Sequence, residues 1–327
     1  MSGDGRPLLS VVIAATDSPV AIDRALRALE GQADRRIEVI VVGTSATLGS
    51  EIPTGDDRLA TRRILAPGGS AVPGLRGIGL DAARGRIVAF TEDSCEVRPG
   101  WADAWLSAFE DPALEAASGA VEHADGARIL DWAVVFCEYA PFLPPTPSSA
   151  PSRLAGNNFA LLRESAPLSP DGDVREVDLL AVIVSGGGNV RMVEAAAVEH
   201  VRRFGWREAF FDRLRFGLEY GRLRAPGLSP VGRSAALLAG PAIFAIQVIR
   251  LGMTILPRRR YRRRFFQALP ITLVLLASWS LGEWAGWCLG ALRIGLSGAD
   301  DVEERAEPPG RLLAGTTRHD PVVGPGQ

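Results

Sequence analysis

The first hundred residues alternate between short apolar runs and segments whose apolar side chains recur at helical spacing. Residues 8–15 and 37–42 are apolar runs interrupted only by Ser10 and Glu38, as is typical of strands buried on both faces. Residues 18–30 between them have helical spacing, so the three segments predict a strand, helix and strand unit with a parallel sheet. A helix over residues 74–83 is expected to lead into another strand at 86–90. Together these elements predict a doubly wound α/β domain.

Helical and strand-like segments continue beyond residue 100, with a less regular connection in the middle. We expect helices at 101–109 and 179–184 and strands at 117–121 and 190–198. Residues 141–151 read PFLPPTPSSAP, a composition that neither a helix nor a central strand tolerates. This segment therefore predicts a long surface loop, of the kind that acts as a lid when it lies beside a site.

The last third of the chain has a different pattern. Residues 206–224 combine apolar residues at helical spacing with several Arg, which predicts a basic amphipathic helix. The apolar segments 235–257 and 265–292 follow, and each is long enough as a helix to cross a hydrocarbon layer of about 30 Å. Residues 257–264 between them read PRRRYRRR, and residues 298–327 have little to bury. We therefore expect a hydrophobic hairpin and a disordered tail.

These patterns divide the chain into a domain at 1–230, a membrane-associated helical hairpin at 231–296 and a disordered tail at 297–327. If both apolar segments crossed the bilayer, the Arg-rich turn and a cytosolic first domain would lie on opposite sides, against the preference of basic loops for the cytosol. We favour a hairpin that inserts without crossing, with the Arg residues on anionic headgroups. Two complete spans are the alternative.

Composition narrows the class of protein and its compartment. With 47% hydrophobic residues the chain has ample material for a core. The formal net charge of −2 gives no reason to expect a nucleic-acid polymer as a partner, although all the basic residues other than His are Arg. The three Cys are far apart and lack metal-ligand spacing, which indicates a reducing compartment. The N-terminal apolar run is too short for a signal peptide, so we expect the first domain to face the cytosol at the cytoplasmic membrane.

A cluster of polar side chains marks the candidate site. The apolar run that ends at Phe90 is followed after one residue by Glu92, Asp93 and Ser94. In open α/β sheets, ligands bind beyond the carboxyl ends of the strands, so acids at this position suit a cation or a polar ligand. The alternative interpretation is a loop that caps the next helix.

Four blocks of sequence together resemble a known family. They read LLSVVIAATDSP, RGIGLDAARGRIVAFTEDSCEVRPGW, GNNFALLRE, and REVDLL followed by SGGGNVRMVEAAAVEH. Their order and spacing over about residues 8–225 are similar to those of the inverting nucleotide-sugar glycosyltransferases of family 2. ALP at 268–270 and GEWAGW at 282–287 resemble the C-terminal extension of membrane-bound members. The resemblance implies a GT-A-like fold, a doubly wound mixed sheet with a Rossmann-like nucleotide-binding half, followed by the hairpin.

The resemblance also implies a metal site. Glu92, Asp93 and Ser94 occupy the family's DxD position, which holds a divalent cation against the donor diphosphate. Hard oxygen ligands suit Mg²⁺ or Mn²⁺, which neutralise the leaving diphosphate. Ser94 is a departure from the pattern, because the last acid of the motif is replaced by a neutral hydroxyl. His200 matches a late histidine near the metal or the diphosphate, although a histidine at a strand end also serves structural roles.

The catalytic base implied by the resemblance is Glu176, in the block REVDLL, with Asp178 nearby to help raise its pKa. The alternative is that both acids only favour a helix N-terminus. Arg76 matches a residue that contacts the donor phosphates, and Asn158 matches one near the sugar or the acceptor. At the tip of the second strand Gly43 replaces acids that hold the nucleoside.

Two further groups of residues are candidates for binding. Asp17, near the tip of the first strand, is a substitute for the missing nucleoside-binding acids. Trp132, Glu138 and Tyr139 are candidate acceptor contacts beside the Pro-rich loop, although core packing accounts equally well for the aromatic residues.

The sequence thus favours an enzyme that transfers a sugar, with inversion, from a nucleotide-sugar donor to a lipid-linked or cell-envelope saccharide acceptor. A catalytically degenerate GT-A-like protein that serves as a membrane-tethered scaffold is the alternative, favoured by Ser94 and Gly43. A dinucleotide-binding redox domain is disfavoured because no GxGxxG follows the first strand.

Overall fold

The computed structural model describes residues 6–32, 37–49, 60–124, 126–146, 150–166, 172–224 and 240–304. The domain boundary expected near residue 230, the start of the first apolar segment and most of the expected tail lie outside the described residues.

Within the described residues, eight strands form one mixed sheet in the order β3-β2-β1-β4-β7-β6-β8-β5. The strands are β1 (Leu9–Ala15), β2 (Ile37–Gly43), β3 (Ala60–Leu65), β4 (Ile87–Glu92), β5 (Cys95–Val97), β6 (Leu114–His123), β7 (Asn158–Leu162) and β8 (Asn189–His200). β1 pairs in parallel with β2 and β4, and β6 pairs in parallel with β8. β7 is antiparallel to both β4 and β6, and therefore joins the two parallel halves.

The helices cover both faces of this sheet and extend beyond it. They are α1 (Pro19–Glu30), α2 (Ser45–Leu48), α3 (Val72–Ala82), α4 (Trp101–Ala108), α5 (Ile129–Tyr139), α6 (Glu176–Ser185), α7 (Trp206–Arg224), α8 (Gly240–Ile255) and α9 (Arg262–Glu304). One core cluster lies under α1 and α4, and a second lies under α3 and α6 on the opposite face. The predicted α/β class, with a doubly wound mixed sheet, is confirmed.

The apolar segments of the last third form α8 and α9, which pack on α5. A third core cluster joins Trp132 and Phe136 of α5 to Tyr261, just before α9, and to Phe265 in its first turn. Within the described residues one segment, Arg259–Leu289, is long and apolar enough to cross a membrane by length and composition alone. An 18-residue stretch of this segment has a mean hydropathy of 1.6, and 44% of that stretch is buried against the rest of the protein, as in the core helix of a soluble protein.

The Arg-rich turn between α8 and α9 lies on the first domain. Arg258 donates hydrogen bonds to the carbonyl oxygens of Ala140 (2.8 Å) and Pro141 (3.2 Å), directly after α5. Arg260 reaches Glu122 at the end of β6, at 3.3 Å. These contacts attach the turn to the first domain. How the hairpin meets a membrane, by inserting without crossing or by two complete spans, stays a prediction.

The C-terminal boundary also differs from the expectation. α9 continues to Glu304, whereas the sequence predicts disorder from residue 297. Leu289 is followed by several small and polar residues, but these do not end a helix that is already formed, because extending a helix costs far less than beginning one.

Candidate functional site

The acids predicted from the sequence lie at the end of β4, between β1 and β7 in the middle of the sheet. Glu92 is the last residue of β4, and Asp93 and Ser94 connect it to β5. The first helical turn of α6 and the segment before β7 reach the same edge of the sheet, as the contacts below show. The crevice at this edge is the candidate site.

Asp93 is buried and has a structural role. Its carboxylate accepts hydrogen bonds from the backbone N–H groups of Thr16 (3.1 Å) and Asp17 (2.8 Å). Burial raises the pKa of Asp93, and these backbone donors oppose that rise. The side chain thus fixes the connection between β1 and α1, and it is not free to bind a metal ion, contrary to the prediction.

Arg76 joins the two carboxylates on which the predicted chemistry depends. Its Nη2 donates to Glu92 Oε1 at 3.2 Å and to the carbonyl oxygen of Gly156 at 2.7 Å. Its Nη1 donates to Glu176 Oε2 at 2.9 Å. The residue is only 3% exposed, and its guanidinium lies over the ring of Phe159. Burial raises the pKa of Glu92, and the charge of Arg76 opposes that rise. Arg76 is therefore a buried bridge and not a solvated helix residue.

Glu176 is the candidate base that the fold leaves accessible. It is the first residue of α6, and its side chain is 31% exposed although Arg76 holds one of its oxygens. The other oxygen, Oε1, lies beside Gly156, where a Cβ atom would come within 3.2 Å of it. Asp178 is on a different face of the helix, 63% exposed and 3.9 Å from Arg175. The structure therefore does not bring Asp178 to the site, contrary to the prediction.

Asn158 is buried, and each side-chain group has a partner inside the protein. Its Oδ1 accepts from Trp101 Nε1 at 3.0 Å, and its Nδ2 donates to the carbonyl oxygens of Ala120 and Ala196 at 2.7 and 2.8 Å. These carbonyls flank the irregularity in the pairing of β6 with β8. Asn158 stabilises the sheet there, and the prediction that it contacts the donor is wrong.

His200 lies in an aromatic cluster. Its ring stacks on Phe204 and lies near Tyr139 and His123, with centroid distances between 5.5 and 6.0 Å. Burial lowers the pKa of His200 to about 3. In the described residues no three His, Cys, Asp or Glu side chains form a group that could hold a metal ion. The predicted metal set of Glu92, Asp93, Ser94 and His200 is therefore not assembled.

The remaining donors do not fit a divalent cation. Asp93 is used by backbone N–H groups, and one oxygen of Glu92 is paired with Arg76. This leaves Glu92 Oε2 and the hydroxyl of Ser94, which are 3.4 Å apart. At diphosphate sites Mg²⁺ needs only one or two carboxylates besides phosphate oxygens and water, but here the single free carboxylate oxygen of Glu92 lies on a residue paired with a guanidinium, and that guanidinium repels a cation.

The packing at the end of β2 explains why Gly43 stands where the family that the sequence resembles has acids. A Cβ atom at Gly43 would lie 2.6 Å from Thr47 Oγ1 and 3.1 Å from Leu48, because α2 begins immediately after β2. An acid at that position would have to displace the side chains of Thr47 and Leu48. Asp17 is exposed beside the loop that Asp93 fixes, and its contact with the nucleoside stays a prediction.

The predicted acceptor residues are divided between the core and the crevice. Trp132 is buried against Phe136 and Tyr261, so it packs in the core. Glu138 is partly exposed, forms an ion pair with Arg213 of α7, and its charge raises the pKa of Glu92. Tyr139 is partly exposed beside His200. Glu138 and Tyr139 therefore lie near the crevice, and their contact with an acceptor stays a prediction.

Some residues near the crevice are not indicated by the sequence. Asn157 is fully buried, its Nδ2 lies 3.3 Å from Cys95 Sγ, and its Oδ1 has no hydrogen-bond partner in the described residues. Arg153 donates to the carbonyl oxygen of Glu138 at 3.0 Å. The pair of Arg213 with Glu138 joins residues 75 positions apart, for which the sequence contains no local signal.

Comparison with solved structures supports the fold. The chain resembles a mannosyltransferase from Pyrobaculum calidifontis, solved with GDP-Man and Mn²⁺, with a TM-score of 0.51 and 16% identity over 85% of this chain and 87% of that one. Glucosyl-3-phosphoglycerate synthase from Mycobacterium tuberculosis, solved with Mn²⁺ and UDP, matches at 18% identity over 62% of this chain and 74% of that one. The TM-score of that match is 0.40, which is too low to establish a shared fold. No protein-family model matches the sequence, and no curated protein matches it.

The fold is therefore that of the GT-A-type glycosyltransferases. At this level of identity the comparison defines the fold alone, and the chemistry has to be argued from the residues of the crevice.

Proposed function

We propose that this protein is a glycosyltransferase that moves a sugar, with inversion, from a nucleotide-sugar donor to a hydroxyl of an acceptor. One observation carries the proposal. In a GT-A-type fold, the partly exposed carboxylate of Glu176 is held by Arg76 next to Glu92, at the carboxyl end of the central strand β4. Ligands bind at this edge of an open α/β sheet.

The arrangement suits single displacement. Glu176 accepts the proton of the acceptor hydroxyl while that oxygen forms a bond to the anomeric carbon. On the opposite face of the sugar, the bond from the anomeric carbon to the diphosphate oxygen breaks, and its electron pair leaves with the nucleoside diphosphate. Arg76 holds Glu176 by one oxygen, which fixes the direction of the other without removing it from the crevice.

The test compares two acids of the same helix in the purified full-length protein. Glu176→Gln is expected to lower transfer by at least about 100-fold, because general base catalysis contributes about that much, while donor binding is retained. Asp178→Asn is the matched control, since this exposed acid lies two residues further along α6, and it should retain activity. Donor binding is measured by the shift in thermal unfolding, and transfer by release of the nucleoside diphosphate. Full turnover by Glu176→Gln would contradict the assignment of the base.

We further propose that the acceptor is a lipid-linked or cell-envelope saccharide and that the protein works at the cytosolic face of the cytoplasmic membrane. The support is the surface of the hairpin. Ile249 and Met253 of α8 and Phe266 of α9 are more than half exposed. Arg259 in the turn between these helices and Arg263 in the first turn of α9 are exposed as well. Apolar side chains beside basic ones match the boundary between acyl chains and anionic headgroups.

The second candidate is a GT-A-like scaffold without catalytic activity. Ser94 and Gly43 favour it, because the family's acids are missing at both positions. Nucleotide sugars discriminate between the two functions. If no nucleotide sugar shifts the thermal unfolding of the protein, the scaffold is correct, whereas turnover of any of them excludes it.

A further inference from the structure

The guanidinium of Arg76 lies in the crevice and pairs with both Glu92 and Glu176, so it occupies the position that a metal ion bridging these carboxylates would take. Arg76 contacts Glu92 at 3.2 Å and Glu176 at 2.9 Å, and it also donates to the carbonyl oxygen of Gly156. A metal ion that used Glu92 Oε1 would have to displace Arg76, a side chain that is 3% exposed. That displacement would also break the contacts of Arg76 with Gly156 and Phe159.

The residues around Arg76 do not provide the negative charge that a metal ion beside it would need. Asp93 directs its carboxylate to the backbone of residues 16 and 17, on the side of β1. Ser94 contributes a hydroxyl without charge, and His200 lies in the aromatic cluster. Two cations a few ångströms apart repel each other strongly in a poorly hydrated crevice. The charges therefore favour Arg76 over a divalent ion.

We propose that the donor diphosphate binds to this protein without a resident divalent cation, and that Arg76 supplies the positive charge between Glu92 and Glu176. The proposal rests on the proposed sugar transfer. Arg76 Nη2 already reaches the end of β4, so a phosphate oxygen can share it with Glu92 or replace Glu92 as its acceptor.

The experiment measures the binding of UDP and of GDP by calorimetry to the purified full-length protein, in EDTA and in Mn²⁺. The wild type is expected to bind one of them with a Kd that differs less than about threefold between the two conditions. Ser94→Asp restores an acid at the last position of the motif, and it should make binding at least about tenfold tighter in Mn²⁺ than in EDTA. Ser107→Asp, on the exposed surface of α4, is the matched control and should behave as the wild type.

A second measurement follows the metal alone. Titration of Mn²⁺, observed by its electron paramagnetic resonance signal, should show no tight site in the wild type and a new site in Ser94→Asp. Arg76→Lys keeps one charge but loses the fork of donors, so UDP or GDP should bind at least about tenfold more weakly, and circular dichroism establishes that the variant is folded.

The outcomes separate this inference from the proposed function. If the wild type binds a nucleoside diphosphate only with Mn²⁺, or binds Mn²⁺ tightly alone, the inference is wrong and the transferase proposal stands. If neither UDP, GDP nor any nucleotide sugar binds under either condition, the transferase proposal is wrong and this inference fails with it. Equal binding by the wild type and Arg76→Lys would also overturn the role of Arg76.

Discussion

At the scale of single residues, the site depends on which polar groups the interior leaves free. Asp93 and Asn158 belong to motifs that indicate binding, yet hydrogen bonds inside the protein satisfy both side chains. Arg76 has an ordinary position in a helix, but it bridges acids that are 16 and 100 residues away in sequence. A buried polar group that lacks a partner costs stability, so the hydrogen bonds inside the fold decide which groups remain for a ligand.

His200 is the residue for which pH gives a clear expectation. Its ordinary pKa is 6.5, and burial lowers it to about 3 in the folded protein. Below pH 6.5 the unfolded chain therefore takes up a proton that the folded chain does not. The free energy of unfolding should fall as the pH drops from 6.5 towards 3, by about 1.4 kcal/mol for each pH unit. Burial also lowers the pKa of His123, which adds to the same trend.

The matched variant is His200→Phe, which keeps an aromatic ring against Phe204 and removes the titrating group. Its free energy of unfolding should depend less steeply on pH than that of the wild type. Urea denaturation between pH 7 and pH 5, followed by tryptophan fluorescence, measures both slopes. Identical slopes would show that His200 is protonated in the folded state.

At the scale of elements, α7 and α9 pack closely against each other through glycines that are spaced four residues apart in each helix. Gly217 and Gly221 of α7 face Gly282 and Gly286 of α9. A Cβ atom at any of these positions would lie between 2.1 and 2.3 Å from a carbonyl oxygen of the other helix. Small residues at this spacing allow two backbones to approach closely, which is a common contact between helices in membranes.

Gly282→Ala is expected to lower the free energy of unfolding by about 1–3 kcal/mol, since the added methyl group meets backbone and not a flexible side chain. Gly252→Ala in α8 is the control. Its Cβ would meet only Leu256, at 3.9 Å, so the change should raise stability by up to about 1 kcal/mol through helix propensity. Thermal unfolding in one detergent compares the two variants, and equal stability of both would contradict the close packing.

At the scale of the whole molecule, the hairpin and the first domain form a continuous structure. Arg258 and Tyr261 pack the turn onto α5 and the residues after it, close to Glu138 and Tyr139. The amphipathic helix α7 also packs along α9. We infer that the crevice lies near the level of lipid headgroups, where the polar end of a lipid-linked acceptor would be found.

Labelling of cysteines tests this arrangement in cells that produce the full chain. Arg259→Cys in the turn and Glu110→Cys on the first domain place exposed thiols at the two sites of interest. A maleimide that does not cross membranes should label neither from outside intact cells and both after permeabilisation. Labelling of the turn alone from outside would contradict its contact with the first domain, and labelling of both would place the protein on the opposite face.

The sequence by itself determined the α/β class, the doubly wound order of the first hundred residues, the two apolar helices and the neighbourhood of Glu92 and Glu176. These features follow from local periodicity and from short motifs at the ends of elements, which the chain carries within a few residues. The antiparallel β5 and β7 are too short to give such a pattern.

Only the tertiary structure decided how the polar residues are shared between folding and chemistry. It assigned Asp93, Asn158 and His200 to the interior, turned Asp178 away, and placed Arg76 between the two functional acids. It also placed the Arg-rich turn on the first domain. Hydrogen bonds and ion pairs between distant segments depend on the complete packing of the chain, so no local pattern of residues contains them.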